Sequence, residues 1–356
     1  MTEHYHFPAE WAHQAAILIT WPHKESAWEY MLSAVEKTYL ELAKIIAEQQ
    51  ALVIQLHSSI KKSEFRDLLI RYKINTENCF VVTANSNDTW ARDHGPISVI
   101  ANKSPTLLNF HFNGWGNKFK SEKDNQLNRT MAYAGLLTEL IDVDFVLEGG
   151  SLETNGLGTL LTTDQCLLNN NRNPGFNRLQ IEQLLTNKLG VNHFLWLKHG
   201  HLEGDDTDAH IDTLARFCNE TTIVFQGCRD NNDAHYSSLN AMKAELESFR
   251  QPDGSPYRLF ELPFPEAIYA ADGHRLPATY ANFLITNQTV IVPVYADKAD
   301  DDALAVIAEL FPDRKTVALD ARPLIEEHGS IHCITMQLSE GSIHLTDSFK
   351  LEGFND

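Results

Sequence analysis

The chain has 356 residues, 43% hydrophobic and 22% charged, an ordinary globular composition with ample length for a large core. Its formal net charge of −19 disfavours nucleic acid as a partner, since phosphate binding needs clustered Lys and Arg; it either mildly favours a small cationic substrate by steering or simply keeps the protein soluble. Five scattered cysteines (Cys79, Cys166, Cys218, Cys228, Cys333) with no CxxC pair argue against a disulfide framework or a zinc knuckle and for a reducing compartment.

The N-terminal Met1-Thr2-Glu3-His4-Tyr5-His6 carries no basic stretch followed by an apolar one. No apolar run approaches the roughly 18 residues that a spanning helix needs. A soluble, cytoplasmic protein without a membrane partner is expected. Residues 15–20 read as a strand, and from Ser26 to Gln50 the apolar positions Met31, Ala34, Val35, Tyr39, Leu42, Ile45 and Ile46 recur at helical spacing. Ala51–Leu56 reads as a further strand, and helices are predicted near 178–189, 235–249 and 301–311. The alternation predicts an α/β chain.

A second pattern overlies the first. Five times a β-prone run, a turn and another β-prone run succeed one another: Ile97–Ala101 with Thr106–Phe112, Ser151–Thr154 with Thr159–Thr163, Ile211–Phe217 with Thr221–Gln226, Asn282–Thr286 with Thr289–Tyr295, and Ile331–Gln337 with Ser342–Thr346. Hairpins recurring roughly every 50–70 residues suggest a repeat architecture. With no linker or low-complexity stretch, one closed domain over 1–356 is expected.

Chemically capable residues gather where these units begin. Trp90-Ala91-Arg92-Asp93-His94-Gly95-Pro96 precedes the first, Leu147-Glu148-Gly149-Gly150 the second, and Asp205-Asp206-Thr207-Asp208-Ala209-His210-Ile211-Asp212 enters the third. Thr279-Tyr280-Ala281-Asn282 and Gly329-Ser330-Ile331-His332-Cys333 enter the last two. Cys333 opens an apolar run, where most free cysteines are buried small hydrophobes. His210 and Asp212, at i and i+2, would share one face of a strand. Glu148 beside two glycines suggests close backbone approach to a ligand, or an ordinary turn. Asp93 is open to the same two readings, with an Arg92–Asp93 surface pairing as the plainer one. Asp205, Asp206 and Asp208 read most simply as a solvated loop. A metal site drawn from His199, His201, Asp205 and His210 is a competing reading, although no HExxH spacing supports it.

One thiol, one imidazole and three carboxylates form the candidate set. A thiol with a histidine suggests a cysteine hydrolase. Several carboxylates would serve an uncharged amide poorly, but they match a guanidinium, whose planar fork of N–H donors pairs bidentately with them.

Trp-Ala-Arg-Asp-His-Gly-Pro, Leu-Glu-Gly-Gly-Ser, Asp-Asp-Thr-Asp-Ala-His-Ile-Asp, Leu-Pro-Ala-Thr-Tyr-Ala-Asn-Phe and Ile-His-Cys-Ile-Thr, in that order, resemble the motifs of the agmatine deiminase family, which includes bacterial peptidyl-arginine deiminases. Gly158–Thr163 and Asn170–Pro174 fit as well. The resemblance implies the pentein fold, an α/β propeller of five pseudo-repeated units about a pseudo-fivefold axis. It implies Cys333 as nucleophile, His210 as general acid/base, Asp93 and Asp212 on the guanidinium nitrogens, and Glu148 on substrate and on His210. Trp90 and Trp115 would wall the alkyl stem. No metal or other cofactor is implied, and a homo-oligomer is a family-level expectation. The implied reaction converts agmatine to N-carbamoylputrescine and ammonia in polyamine synthesis, with free or peptide-linked arginine as the alternative substrate. Two departures are Ala209, where the family often has Gly, and the glycine-poor His328-Gly329-Ser330 before the cysteine.

Overall fold

The computed structural model of the chain describes residues 4–351. It is an α/β protein, and among the described residues the strands fall into five sheets. No helix among them is long and apolar enough to cross a membrane. The chain divides into two compact units. A central unit holds Gly150–His332 with the segment up to Trp11, and a terminal unit holds Ala12–Gly149 with the segment from Cys333 onward.

The central unit contains three sheets of one plan, in which a short strand pairs antiparallel with the next and that strand pairs parallel with a third. They are Glu153–Thr154, Thr159–Thr163 and His193–Leu197; Ala215–Asn219, Thr222–Gln226 and Arg258–Leu262; and Leu284–Ile285, Thr289–Val294 and Lys315–Asp320. A parallel partner needs a crossover, and the helices Arg178–Leu189, Tyr236–Ser248 and Asp300–Leu310 supply them. The middle strands are buried over most of their length, as strands covered on both faces must be.

Each helix turns one stripe inward: Ile181, Leu185 and Leu189 in the first, Leu239, Met242 and Leu246 in the second, Ala303 and Ile307 in the third. Leu161, Leu195, Phe217, Phe225, Leu239 and Met242 belong to one packed cluster. Asn177 starts Arg178–Leu189 through a capping box with Gln180, and Gly190 ends it in the left-handed region at φ 72°.

The terminal unit holds the remaining two groups of strands. Ile97–Ala101 and Ser104–His111 form a hairpin closed by Asn102 and Lys103, both at positive φ (50° and 73°), the geometry of a type I′ turn. Leu140–Val146 joins it in parallel. The other sheet runs Gln14–Thr20, Ala51–Leu56 and Cys79–Thr83 in parallel, with the helices Leu32–Ala47 and Lys62–Arg71 as crossovers.

The fifth predicted hairpin does not form. Thr335–Ser339 pairs antiparallel with Gln14–Thr20, Gln337 opposite Ile17, and Ser342–Thr346 is not a strand. The reason is burial. Gln14–Thr20 is almost wholly enclosed and needs a partner for its backbone, whereas His344, Leu345 and Thr346 are exposed and have no apolar face to bury. Cys333 therefore lies in a turn ahead of a strand, not inside a hairpin arm.

Gly190 offers a test of how the central unit is assembled. A Cβ there would collide with the Tyr5 carbonyl, and the positive φ disfavours any L side chain. Gly190→Ala is expected to lower stability by about 1–3 kcal/mol in urea unfolding.

Candidate active site

In the terminal unit, the segment Trp90–Pro96 folds into a short helix, Ala91–His94, before its strand begins. This buries Asp93 and aims it at an indole: Trp115 Nε1 donates to Asp93 Oδ2 at 3.0 Å. Trp115 is held in an unusual backbone, with Gly114, Trp115, Gly116 and Asn117 all at positive φ and Asn113 Oδ1 accepting from the Gly116 N–H. Trp28, Trp90, Trp115, Phe112 and Phe119 pack edge to face or tilted, with neighbouring centroids 5.0–6.4 Å apart. The result is a rigid aromatic floor beside a carboxylate.

Arg92 ties Cys333 to the same place. Its backbone N–H donates to the Cys333 carbonyl at 3.0 Å, and its buried guanidinium donates to Gln337 Oε1 at 2.6 Å. The anticipated Arg92–Asp93 surface pairing is thus replaced by a buried contact to the strand after the cysteine. Glu148 is fully buried. The next residue must be glycine, because a Cβ on Gly149 would strike the Arg92 carbonyl and stand 2.7 Å from Met336 Cε. Trp90, Asp93, Glu148 and Cys333 thereby lie on segments that meet at Arg92, and Trp115 is joined to them through Asp93.

In the central unit, His210 and Asp212 are both buried, but the expected strand is a 3₁₀ turn, Ile211–Thr213. With three residues per turn, positions i and i+2 do not share a face, so the strand argument for the pair fails. The turn is braced instead by its own loop. Asp205 accepts from Thr207 N, Thr207 Oγ1 and Ala209 N, and Arg172 donates to Asp208 at 2.6 Å and to the Thr207 carbonyl at 2.8 Å. Thr163 Oγ1 donates to the Ala209 carbonyl. Asp205 and Asp208 are consequently structural pins and not a solvated loop. Asp208 and Ala209 sit at φ 68° and 61°, which accounts for the frequent glycine at the second position and shows that the bracing carries an alanine there.

Asp212 is the end of a buried chain of charges. Its Oδ2 lies 2.7 Å from His332 Nδ1, His332 Nε2 lies 2.7 Å from Glu10 Oε2, and the same oxygen takes a hydrogen bond from Arg216 Nη2 at 2.5 Å. Arg216, with no exposed surface, also donates to Glu153 at 2.7 Å and to the Phe283 carbonyl at 2.8 Å. Burial alone would raise the Asp212 carboxyl. The His332 hydrogen bond and the charges of His332, His210 and Arg216 outweigh it and hold the group below its ordinary value. Asp212 Oδ1 is buried and has no hydrogen-bond partner among the described residues, an acceptor suited to an incoming N–H donor.

The metal reading finds no support in these positions. His199 pairs with Glu245, His201 with Ser238, and Asp205 with its turn, so among the described residues no three of His199, His201, Asp205 and His210 converge. Four residues escaped the sequence reading: Glu10, Glu153, and the pair Asn282 and Cys166. Asn282 stands in an entrance without a role; its Oδ1 accepts from His332 N and its Nδ2 donates to the Asp212 carbonyl. Cys166 Sγ lies within 4.8 Å of a His210 ring nitrogen. Glu10 belongs to no hairpin or motif, so nothing local marks it.

Comparison with known proteins adds the last element. A family model described as Porphyromonas-type peptidyl-arginine deiminase matches residues 6–339. An agmatine deiminase of Pseudomonas fluorescens is 32% identical over 94% of this chain and 95% of its own length. A cysteine-to-serine variant of the C. jejuni agmatine deiminase, solved with substrate bound, is 38% identical with a TM-score of 0.88, covering 95% of this chain and 97% of that one. A Porphyromonas gingivalis structure provisionally described as an arginine deiminase is 47% identical with a TM-score of 0.88, covering 96% and 100%.

The indole–carboxylate contact is open to direct test. Trp115→Phe keeps the ring and removes the donor to Asp93. A stability loss of about 1.5–3 kcal/mol by denaturant unfolding is expected, the usual range for a hydrogen bond to a charged group.

Proposed function

Because the chain belongs to the Porphyromonas-type peptidyl-arginine deiminase family, we propose that it hydrolyses the guanidinium group of agmatine to N-carbamoylputrescine and ammonia. The observation that carries agmatine over arginine is the engagement of the three arginines lying in or near the motifs. Arg92 is bound to Gln337, Arg172 to Asp208 and the Thr207 carbonyl, and Arg216 to Glu10 and Glu153. A substrate α-carboxylate would need such a cation; agmatine has none. The 47% identity to the Porphyromonas gingivalis chain favours arginine as the second reading.

In the mechanism, Asp93, Asp212 and Glu148 accept the guanidinium N–H donors and hold the group flat, while Trp90 and Trp115 line the alkyl stem. The Cys333 thiolate attacks the central carbon. His210, protonated, gives its proton to the departing nitrogen, and ammonia leaves. A thiouronium remains on Cys333. His210, now neutral, takes a proton from water, which attacks the same carbon. The C–S bond breaks, the electron pair returns to the thiolate, the new hydroxyl gives up its proton to solvent as it becomes the carbonyl, and the ureido product departs. The buried, partnerless Asp212 Oδ1 and the Arg92-anchored Cys333 support these roles.

The same reading carries the five like sheets as a pentein arrangement about a pseudo-fivefold axis in one domain spanning 1–356, a cytoplasmic location suited to five free cysteines, and self-association as a homo-oligomer.

Ammonia release from agmatine, arginine and a blocked arginine peptide, each with and without EDTA, tests the proposal. EDTA-insensitive release from agmatine that falls by about 10³-fold or more in Cys333→Ala is expected. Release mainly from an arginine substrate overturns the substrate; activity that survives Cys333→Ala and fails with EDTA overturns the mechanism.

A further inference from the structure

His332 carries an acid on each ring nitrogen: Asp212 Oδ2 at Nδ1 and Glu10 Oε2 at Nε2, both at 2.7 Å. An ionised carboxylate only accepts, so the ring donates at both positions unless one acid holds a proton. Glu10 has no room for one. Its Oε2 already receives Arg216 Nη2, and its Oε1 receives the backbone N–H of Ile285 at 2.8 Å. Burial raises the Asp212 carboxyl, but the His332 hydrogen bond and the field of Arg216, a permanent cation, act against it and hold the group below its ordinary value. A ring donating to two carboxylates is an imidazolium.

The backbone is tied as tightly as the ring. The His332 N–H is received by Asn282 Oδ1 at 2.9 Å, and Asn282 Nδ2 reaches the Asp212 carbonyl at 3.3 Å. Both the height and the rotation of the Asp212 side chain are therefore set through His332 and Asn282. The titratable groups about the chain are Glu10 and Asp212 against His332, Arg216 and His210 against those acids, Glu153 on the far side of Arg216, Asp205 facing Asp212 and Arg314 facing Glu10.

We propose that His332 is a positioning residue held permanently as an imidazolium: braced by Glu10, it pins Asp212 Oδ2 and leaves Oδ1 of an ionised carboxylate to accept a guanidinium N–H. The role toward substrate rests on the deiminase reading; the charge state of the ring does not. It follows that the segment around Glu10, remote in sequence from every motif, governs substrate binding.

Nitrogen-15 NMR of histidine-labelled protein at about pH 8, where an ordinary histidine is neutral, reads the charge state directly. A ring with both nitrogens protonated, absent from His332→Gln, is expected; a neutral ring overturns the proposal. In agmatine kinetics, His332→Gln is expected to raise KM about tenfold or more with a smaller change in kcat. It should also move the acid limb of kcat/KM to higher pH, because Asp212 without its cation protonates sooner as pH falls. Glu10→Gln removes one of the two acids, so the ring gives up its proton at lower pH and the alkaline limb moves down. A folded His332→Gln with unchanged KM and acid limb overturns the role. If that variant fails to fold, the wild-type spectrum and the Glu10→Gln profile decide. Absence of ammonia release by the wild type from every guanidino compound sinks the deiminase reading, while the NMR measurement still decides the charge of the ring.

Discussion

Arg216 sits in the protein interior with no exposed surface, and an interior cation survives only where acids answer it. Glu153 answers it from a neighbouring hairpin and Glu10 from the N-terminal segment, and Glu10 in turn reaches His332 and, through it, Asp212. No member of the series can be deleted without leaving another bare, at a cost of about 3–5 kcal/mol for a buried pair broken on one side. A hydrophobic core of the same volume would hold the sheets together as well. What it would not do is specify the direction of one carboxylate, which is where the series ends.

The candidate residues lie in turns and single helical turns, and each such segment is secured by residues outside the candidate set. Arg172, Asp205 and Thr163 hold the loop before His210. Asn282 holds Asp212 and His332, and Arg92 holds the cysteine turn. Regular strands begin just after these turns, at Ile97, Glu153, Ala215 and Thr335, so the hairpins act as rigid supports and the turns as the adjustable parts. Asp208 and Ala209 in one loop and Trp115 in another sit at positive φ, and the hydrogen bonds around each loop hold that strained backbone in place.

Four of five hairpins were legible because a tight turn leaves a local mark, as Asn155-Gly156 and Asn102-Lys103 do. The parallel third strands, His193–Leu197, Arg258–Leu262 and Lys315–Asp320, were not, since a crossover pairing has no local signature. The misread fifth hairpin belongs to the same class: its true partner, Gln14–Thr20, is remote in sequence. The site divides likewise. His210, Asp212, Asp93, Glu148 and Cys333 stood out because their residue types cluster at strand entrances. Glu10 and the exclusion of His199 and His201 depend on long-range contacts, and the 3₁₀ turn at Asp212 depends on bracing across as many as 46 positions, from Thr163 to Ala209.

The pairing of Thr335–Ser339 with Gln14–Thr20 has a consequence during synthesis. At about 5–20 residues per second, tens of seconds separate emergence of the two strands from the ribosome. Through that interval an apolar strand waits with one backbone edge open, in the state most exposed to pairing with a neighbouring nascent chain. Separated from the closing strand by Ile334 alone is the cysteine, Cys333. Its turn is fixed only when the edge is covered, so the thiol gains its final surroundings late, and a ribosome that stalls before residue 335 leaves a chain whose Cys333 turn is not set.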